Sequence, residues 1–332
     1  MDYLWYARMD SLPWKCRRRN PCSQLTPPTP RTKVFFQIRA KQDAGLREAE
    51  SLVCHCSNMS KVAYLGPEGT FSGILARQRF GKKADLLPCP TIDAVFDAVL
   101  SGAAPMGLVP VENSSGGTVP DTIDLLIRHA SSIFIHEELS LNIRIALLGR
   151  SGSKVKTVYS HFTQIKHHGD WLKSRHPKAT LVPVQSTAIA SELAASKPHS
   201  AALASPGAAE IYHLDMLDFP SGANEVNVTN FFTISKKPIV KISSNRTAFV
   251  AALKNTCGSL HRFLGSFSRQ KVSLTRIVSR PVPGQPQTYV FYIEVEGSLS
   301  DPGVARSIEL AGRRAHTLTH LGSFPLGRHF RS

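Results

Sequence analysis

Long apolar runs are missing from this chain of 332 residues. It contains no stretch of about 18 or more consecutive apolar residues, which excludes a membrane-spanning helix. Hydrophobic residues make up 42% of the chain, and 22 Gly and 22 Pro are an ordinary supply of turn residues. The composition is therefore that of a globular protein, long enough for two domains or for one large domain with additions.

Cysteine is scarce and unpatterned. The six cysteines form no zinc-type double pair: Cys16, Cys22, Cys54, Cys56, Cys89 and Cys257. The triplet Cys54-His55-Cys56 has no further ligand type beside it. We predict no metal site, a reduced protein and a cytoplasmic location.

Acidic residues are outnumbered, 24 against 40 Lys and Arg, which gives a formal net charge of +16. Part of the excess lies in the first sixty residues, and more of it lies near the end of the chain. It has two interpretations, a solvated basic surface with a basic leader, or steering of an anionic substrate. No recognised nucleic-acid-binding module accompanies the charge, so we predict no nucleic-acid partner.

Residues 1–58 differ from the rest of the chain. Three prolines and an arginine run interrupt any regular element there: Pro27, Pro28, Pro30 and Arg17–Arg19. The segment could be an organelle transit peptide, which would place the protein in a plastid, or a short fused domain. We favour a third interpretation, in which translation begins at Met59, and predict disorder in every case.

Apolar strands alternate with helical patterns from 61 to about 238, which predicts an α/β domain with largely parallel strands. Strands are predicted at Lys61–Leu65, Met106–Val111, Ile143–Leu148, Thr157–Tyr159, Ala201–Ala204 and Phe231–Ser235. Helices are predicted at 73–80, 92–101, 119–128, 164–176, 187–196 and 206–212. A polar linker at 239–246 then leads into a smaller domain at 247–326.

The smaller domain reads as strand, helix, two strands and helix. Its predicted elements are Thr247–Leu253, Cys257–Arg269, Ser273–Val278, Thr288–Glu296 and Val304–Leu321. This split βαβ layout is a recurring small-domain motif.

Two turns follow apolar strands and are dense in Gly, Pro and small polar residues. Gly66–Ser72 follows the first strand, and Glu112–Thr118 follows Met106–Val111. In an open α/β sheet, ligands bind at the carboxyl ends of the strands. Both turns resemble the signature turns of prephenate dehydratase, which converts prephenate to phenylpyruvate with loss of water and carbon dioxide.

The resemblance implies a fold and an assembly. The larger domain would be a two-lobed catalytic domain similar to a type-2 periplasmic binding protein, with the substrate in the cleft. The smaller would be a βαββαβ, ferredoxin-like ACT domain whose final strand is Gly322–Leu326. The family needs no cofactor, binds phenylalanine between ACT domains, and forms dimers or tetramers. We predict the same here.

Each family motif assigns site residues. Glu112-Asn113-Ser114 matches the family's Glu-Asn-Ser, in which the Asn helps bind substrate. Thr70 and Ser72 match the first turn, and Ser186-Thr187 opens a helix in the second lobe. Turn formation for Asn113, and helix capping for Ser72, Ser186 and Thr187, are the alternative roles of these residues.

Two further motifs match in part. Ser160 matches a predicted substrate contact, but Phe162 and Thr163 replace Pro-Gln and His167 replaces a second Gln. In Thr229-Asn230-Phe231 the catalytic Thr of the family remains, while Asn230 replaces an Arg. Thr229, Asn113 and Ser160 are therefore the predicted catalytic residues, and Glu112, Ser114, Asn230, Phe231 and His167 are predicted substrate contacts.

The effector segments also match in part. Gly258-Ser259-Leu260 stands at the family's Gly-Ala-Leu, and Val278-Ser279-Arg280-Pro281 stands at its Glu-Ser-Arg-Pro. Val278 removes an acid, so we hypothesise that phenylalanine control is weakened or that the effector is changed. The alternatives for the whole chain are an arogenate dehydratase, a non-aromatising prephenate decarboxylase and a catalytically impaired amino-acid sensor.

Overall fold

Three β-sheets organise the residues that the structure describes. The structure is a computed structural model, and it describes residues 61–220, 227–238, 244–282 and 288–332. The predictions for residues 1–58, and for 239–243 of the linker, lie outside these residues. Among the described helices, none combines the length and the apolar character needed to cross a bilayer.

The first sheet forms lobe 1. Its strand order is β16-β5-β11-β3-β1-β2, with β4 paired to β3. The strands are β1 (Lys61–Leu65), β2 (Asp85–Cys89), β3 (Met106–Asn113), β4 (Gly117–Thr118), β5 (Phe134–Asn142), β11 (Val228–Ser235) and β16 (Leu326–Arg331). Its helices are α1 (Phe71–Phe80), α2 (Ile92–Ser101) and α3 (Pro120–Arg128).

The second sheet forms lobe 2, in the order β10-β6-β9-β7-β8. The strands are β6 (Ala146–Gly149), β7 (Thr157–His161), β8 (Thr180–Val184), β9 (Ser200–Ala204) and β10 (Asp215–Asp218). Its helices are α4 (Phe162–Arg175), α5 (Thr187–Ser196) and α6 (Gly207–Tyr212). The chain leaves lobe 1 after β5 and returns to it with β11, so it passes twice between the lobes.

The third sheet is antiparallel in the order β13-β14-β12-β15. The chain order is β12 (Arg246–Ala252), α7 (Ser259–Ser268), β13 (Leu274–Pro281), β14 (Tyr289–Glu296), α8 (Pro302–Gly312) and β15 (Thr317–Phe324). This is the βαββαβ arrangement with ferredoxin-like strand order. Both helices cover one face, where Phe249, Phe263 and Phe267 form the core.

The third sheet and its helices α7 and α8 form the third unit of the described chain. Two predicted boundaries in this third unit need correction. The last helix ends at Gly312 and not at Leu321, and the final strand is Thr317–Phe324 and not Gly322–Leu326. The alternating Thr317, Leu318, Thr319 segment is typical of a strand, because β-branched residues favour the extended backbone. It pairs with β12 along its length.

The last strand of the chain was not predicted. β16 pairs in parallel with β5 at the edge of the lobe 1 sheet. Gly327 permits this approach, because a Cβ atom there would lie 2.2 Å from the carbonyl oxygen of Glu138. The chain therefore returns to lobe 1 after completing the third sheet.

The second face of the third sheet packs directly against lobe 1. Val250, Tyr292 and Phe324 of the third sheet share one core cluster with Phe232 and Ile135 of lobe 1. The rings of Phe232 and Phe324 meet edge-on at 5.6 Å between centroids. Lobe 1 thus has the third sheet on one face and lobe 2 on the other.

Candidate active site in the cleft between the lobes

A cavity of about 410 Å³ lies between lobe 1 and lobe 2. Lobe 1 contributes both signature turns and the start of β11, and lobe 2 contributes the first turns of α4 and α5. Of the described residues that line it, none is Lys, Arg, Asp or Glu. An anion in this cavity would therefore be held without a lysine or arginine among the described lining residues.

Three helices begin at the cavity, and the residue that caps each of them lines it. Thr70 caps α1, where its Oγ1 accepts from Gly73 N at 3.3 Å. His161 caps α4 by accepting from Thr163 N at 3.4 Å, and Ser186 caps α5 by accepting from Ile189 N at 3.1 Å. A side-chain cap satisfies one of the four free N–H groups of a helix start, and the others and the helix dipole favour an anion. Capping and anion binding are therefore compatible here.

Asn113 and Thr229 form the polar centre of the lobe 1 wall. Asn113 Nδ2 donates to Thr229 Oγ1 at 2.8 Å and to Asn227 Oδ1 at 2.9 Å. Asn113 Oδ1 accepts from Ser115 N at 2.9 Å and from Gly116 N at 2.8 Å. These four bonds fix the rotamer of the amide. They also turn its NH₂ group, and not its oxygen, towards Thr229.

The Thr229 hydroxyl is positioned to donate its proton to a molecule in the cavity. Its oxygen accepts from Asn113, and among the described residues no acceptor lies within hydrogen-bond distance of its proton. The proton is therefore available to a molecule in the cavity. A donor that already bonds the hydroxyl oxygen stabilises negative charge on it, which strengthens the hydroxyl as a proton donor.

The start of α4 adds polar groups to the lobe 2 wall. Burial lowers the pKa of His161, which keeps the ring neutral. Because Nδ1 accepts from Thr163, the proton of the neutral ring is on Nε2. Gln164 also lines the cavity, and its buried Oε1 has no hydrogen-bond partner among the described residues. Such a buried, unpaired oxygen is suited to a ligand donor.

Eight of the predicted site residues line the cavity: Thr70, Ser72, Asn113, His167, Ser186, Thr187, Thr229 and Phe231. Sequence reasoning missed Gln164, Gln185 and Asn227, which line it as well. Gln164 directly follows Thr163, the position where the family's Gln is missing. A glutamine one residue after the family's position was the signal in the sequence that could have identified Gln164.

Ser160 requires a correction. Its side chain is fully buried and donates to the carbonyl oxygen of Leu203 at 2.6 Å. Successive side chains of a strand point to opposite faces, so Ser160 points into lobe 2 while its neighbour His161 points into the cavity. At this strand end His161, and not Ser160, lines the cavity.

Glu112, Ser114 and Asn230 also do not line the cavity. Glu112 and Asn230 are paired across β3 and β11, on the face opposite to Asn113 and Thr229. Asn230 Oδ1 accepts from Ser140 Oγ at 2.8 Å, and Glu112 forms an ion pair with Arg276 at 2.7 Å. Ser114 Oγ accepts from Val228 N at 3.0 Å. The predicted substrate contacts of these three residues are replaced by contacts within the protein.

The predicted effector residues divide between two faces of the third unit. Val278 and Arg280 face lobe 1, where Val278 packs against the shared core and Arg280 pairs with Asp124 of α3. Ser279 and Pro281 are exposed. Gly258 caps α7 with φ of 74°, Ser259 bonds Thr256 at 2.6 Å, and Leu260 packs in the helix-covered core. The hypothesis of weakened phenylalanine control assumes that Val278 replaces an acid at the effector contact. The position of the Val278 side chain, packed towards lobe 1, does not support this assumption.

No cluster of three or more His, Cys, Asp or Glu side chains that could hold a metal ion occurs in the described part of the chain. Cys54 and Cys56 lie outside it.

Comparisons with known proteins identify relatives over most of the chain. A family model described as prephenate dehydratase matches residues 62–239. A bifunctional chorismate mutase/prephenate dehydratase of Stutzerimonas stutzeri is 36% identical over 268 residues, which cover 80% of this chain and 73% of the relative.

Two solved structures are similar at the level of fold. One is a prephenate dehydratase from Arthrobacter aurescens in complex with L-Phe, with a TM-score of 0.72, 28% identity, and coverage of 80% of this chain and 89% of that one. The other is GqqA, described as a novel type of quorum quenching acylase, with a TM-score of 0.72, 26% identity, and coverage of 80% and 98%.

Proposed function

The chain belongs to the prephenate dehydratase family, and we propose that it converts prephenate to phenylpyruvate, water and carbon dioxide. The observation that carries this proposal is the Asn113–Thr229 pair, at 2.8 Å, on the wall of a cavity into which three helix N-termini open. The pair supplies a proton donor, and the helix starts supply sites for two carboxylates.

In the proposed reaction the two carboxylates of prephenate bind at the helix N-termini. The bond between the ring and its carboxylate breaks, and its electron pair completes the aromatic ring. The ring C–O bond breaks as well, and the departing hydroxyl receives the Thr229 proton to leave as water. Asn113 stabilises the charge that develops on Thr229 Oγ1, which later recovers a proton from solvent.

The absence of charged side chains from the described lining favours prephenate over arogenate. Arogenate carries an ammonium group where prephenate carries a keto group. None of the described lining residues is a carboxylate that could pair with an ammonium, and helix N-termini repel a cation. We therefore propose prephenate as the substrate, with arogenate as the less favoured alternative.

Thr229→Val tests the proposal, with Thr233→Val as its matched control. Thr233 lies on the same strand, is buried, and its hydroxyl has no partner among the described residues. We expect phenylpyruvate formation by the unaltered protein, a kcat about 10²- to 10⁴-fold lower in Thr229→Val, and activity within about twofold in Thr233→Val. No phenylpyruvate from the folded, unaltered protein would reject the proposal. A non-aromatic product would instead identify a decarboxylase.

The acylase activity named for GqqA is not favoured by the site. A hydroxyl nucleophile needs an adjacent base to remove its proton. The Thr229 oxygen is instead bonded to a donor, the NH₂ group of Asn113. Assay of an N-acyl amide alongside prephenate would separate the two activities.

We further propose that phenylalanine regulates the activity through the third unit as an ACT domain, and that the protein is a cytoplasmic dimer or tetramer. The supporting facts are the βαββαβ fold of that unit and the L-Phe complex of the Arthrobacter relative. Inhibition by phenylalanine tests the regulation, and the mass of the protein in solution, measured by light scattering, tests the oligomeric state. Activity that phenylalanine does not inhibit would reject the proposed regulation, and a monomeric mass would reject the proposed dimer or tetramer.

A further inference from the structure

One arginine of the third unit reaches the strand that carries Asn113. Arg276, on β13, donates through Nη2 to Glu112 at 2.7 Å and to Glu138 at 3.1 Å, and through Nη1 to Glu294. Its guanidinium also lies over the ring of Phe232, with 5.6 Å between Cζ and the ring centroid. Glu112 and Glu138 belong to lobe 1, whereas Glu294 belongs to the third unit. The cluster therefore joins the two units.

The cluster is buried and its cation is permanent. Glu138 and Glu294 are buried, and the Tyr292 hydroxyl donates to Glu294 at 2.5 Å. Burial acts to lower the pKa of Arg276, but Glu294, Tyr292 and Glu138 outweigh it and raise that pKa. A planar guanidinium can serve several carboxylates at fixed angles, which an ammonium cannot.

The end of β3 needs such support because its pairing with β11 is irregular. Asn230 pairs with Glu112 but Phe231 pairs with Pro110, so Val111 is an extra residue on β3, a β-bulge. Pro110 also has no N–H to donate to the ladder. Beyond the bulge, only Glu112 and Asn113 of β3 pair with the described part of β11, and on their other side they pair with the two-residue strand β4.

Holding Glu112 on one face of the sheet holds Asn113 on the other. Adjacent residues of a strand point in opposite directions, so rotation of one carries the other with it. Asn113 must point into the cavity to reach Thr229 at 2.8 Å. The bond from Arg276 to Glu112 is thus a restraint on the orientation of Asn113.

We propose that Arg276 is a positioning residue for the reaction in the cleft, because its bond to Glu112 aligns Asn113 with Thr229. The kinetic part of this proposal rests on the proposed function. The structural part, the restraint on the turn, does not. A cluster that merely stabilised the interface would change the free energy of unfolding and leave both the turn and kcat unaffected.

Glu112→Ala is the decisive variant, because it cuts the bond to the turn and leaves Arg276 paired with Glu138 and Glu294. Glu296→Ala is the matched control. Glu296 is also a strand glutamate in an ion pair, at 3.2 Å from Arg246, but it lies within the third unit. Glu112→Gln keeps an acceptor oxygen and serves as the conservative rescue. Arg276→Lys keeps the charge but not the fork.

Two measurements are made on each full-length variant. The first is kcat and KM with prephenate. The second is hydrogen exchange of the Ser115 and Gly116 amides, which donate to Asn113 Oδ1. We expect Glu112→Ala to lower kcat about 10- to 100-fold with KM within about threefold, and to speed exchange of the two amides about tenfold or more.

We expect Glu112→Gln to recover at least part of the kcat that Glu112→Ala loses. The kcat of Arg276→Lys should lie between the values of Glu112→Gln and Glu112→Ala. Glu296→Ala should match the unaltered protein. Glu112→Ala with kcat and amide exchange within about twofold of the unaltered protein would overturn the proposal. Changes of kcat and amide exchange in Glu296→Ala as large as those in Glu112→Ala would also overturn the proposal. If the unaltered protein fails to turn over prephenate, the proposed function fails, and unchanged amide exchange in Glu112→Ala would still overturn the restraint on the turn.

Discussion

The two faces of the lobe 1 sheet, at the point where β3 and β11 end, carry opposite kinds of polar chemistry. The cleft face has neutral groups, the amide of Asn113 and the hydroxyl of Thr229. The opposite face has full charges, the guanidinium of Arg276 among Glu112, Glu138 and Glu294. The residues of each strand alternate between these environments.

The difference separates chemistry from support. A fixed cation in the cleft would bind the side-chain carboxylate of the substrate equally before and during the reaction, and would bind the ring carboxylate more tightly before its charge is lost as carbon dioxide. Neither effect raises kcat. Neutral donors that meet the departing hydroxyl act where charge develops. Full charges are used instead where the geometry must not change, on the face that packs against the third unit.

The strongest test of the charged face is Arg276→Met. We expect the free energy of unfolding to fall by about 3–5 kcal/mol, because Glu138 and Glu294 would remain buried without a counter-charge. Urea unfolding would measure it. Arg280→Met, which breaks a more exposed pair with Asp124, should cost at most about 1 kcal/mol. Equal losses in the two variants would contradict the distinction. Addition of Glu294→Gln to Arg276→Met should restore part of the loss.

Asn113→Asp tests the neutral face with a nearly isosteric change. The carboxylate cannot donate to Thr229 Oγ1, and it places a negative charge beside an anionic substrate. We expect kcat to fall about 10²- to 10³-fold and KM to rise, as measured by steady-state formation of phenylpyruvate. Asn255→Asp adds the same charge at an exposed position of the third unit and should leave both constants unchanged. Activity that survives in Asn113→Asp would remove the amide from the mechanism.

His320 sharpens the comparison, because its buried Nε2 has neither a counter-charge nor a hydrogen-bond partner among the described residues. Burial lowers its pKa to about 4, against 6.5 for an ordinary histidine. The unfolded chain therefore binds the proton first as pH falls. The associated stability is complete above about pH 6.5 and is lost as pH falls towards 4, by up to about 3 kcal/mol.

Thermal unfolding between pH 7 and pH 4 would measure this loss. His320→Leu should reduce the pH dependence by that amount, whereas His316→Leu, at an exposed position of the same segment, should retain it. An unaltered slope in His320→Leu would assign the acid sensitivity to other groups.

Local signals predicted the capped helices from sequence. Ile92–Ser101 and Thr187–Ser196 were predicted with the bounds that the structure has. Each has a hydroxyl cap at its start, Thr91 and Ser186, and the first ends at Gly102 in the left-handed region. Such signals lie within a few residues of the element, so the sequence contains them.

Strand β5 could not be predicted in the same way. Its residues His136, Glu137 and Glu138 are buried, although their types are typical of a surface. Arg79 donates twice to Glu137, and Arg276 donates to Glu138. These partners lie 58 and 138 residues away in sequence, so no local pattern reveals them.

The residues of the candidate site could also be predicted only where the signal is local in sequence. The turn at Asn113 and the residues Thr229 and Thr70 were found from their motifs, and they line the cavity. Ser160, Glu112 and Asn230 were misplaced because a motif gives positions along the chain but not the face of the sheet. Gln164 was missed because the family's pattern has its Gln one residue earlier.

The smallest expected effect concerns Asn230, the residue that replaces an Arg of the family motif. Its side chain lies on the charged face and accepts a hydrogen bond from Ser140, so it is separated from the cleft by the sheet itself. We expect Asn230→Ala to cost about 0.5–1.5 kcal/mol in the free energy of unfolding and to leave KM for prephenate within about threefold. The matched variant Ser140→Ala removes the donor of the same bond and should give a similar loss of stability. A large rise of KM in Asn230→Ala alone would mean that the substrate senses this face, and the division between a neutral chemical face and a charged supporting face would then fail.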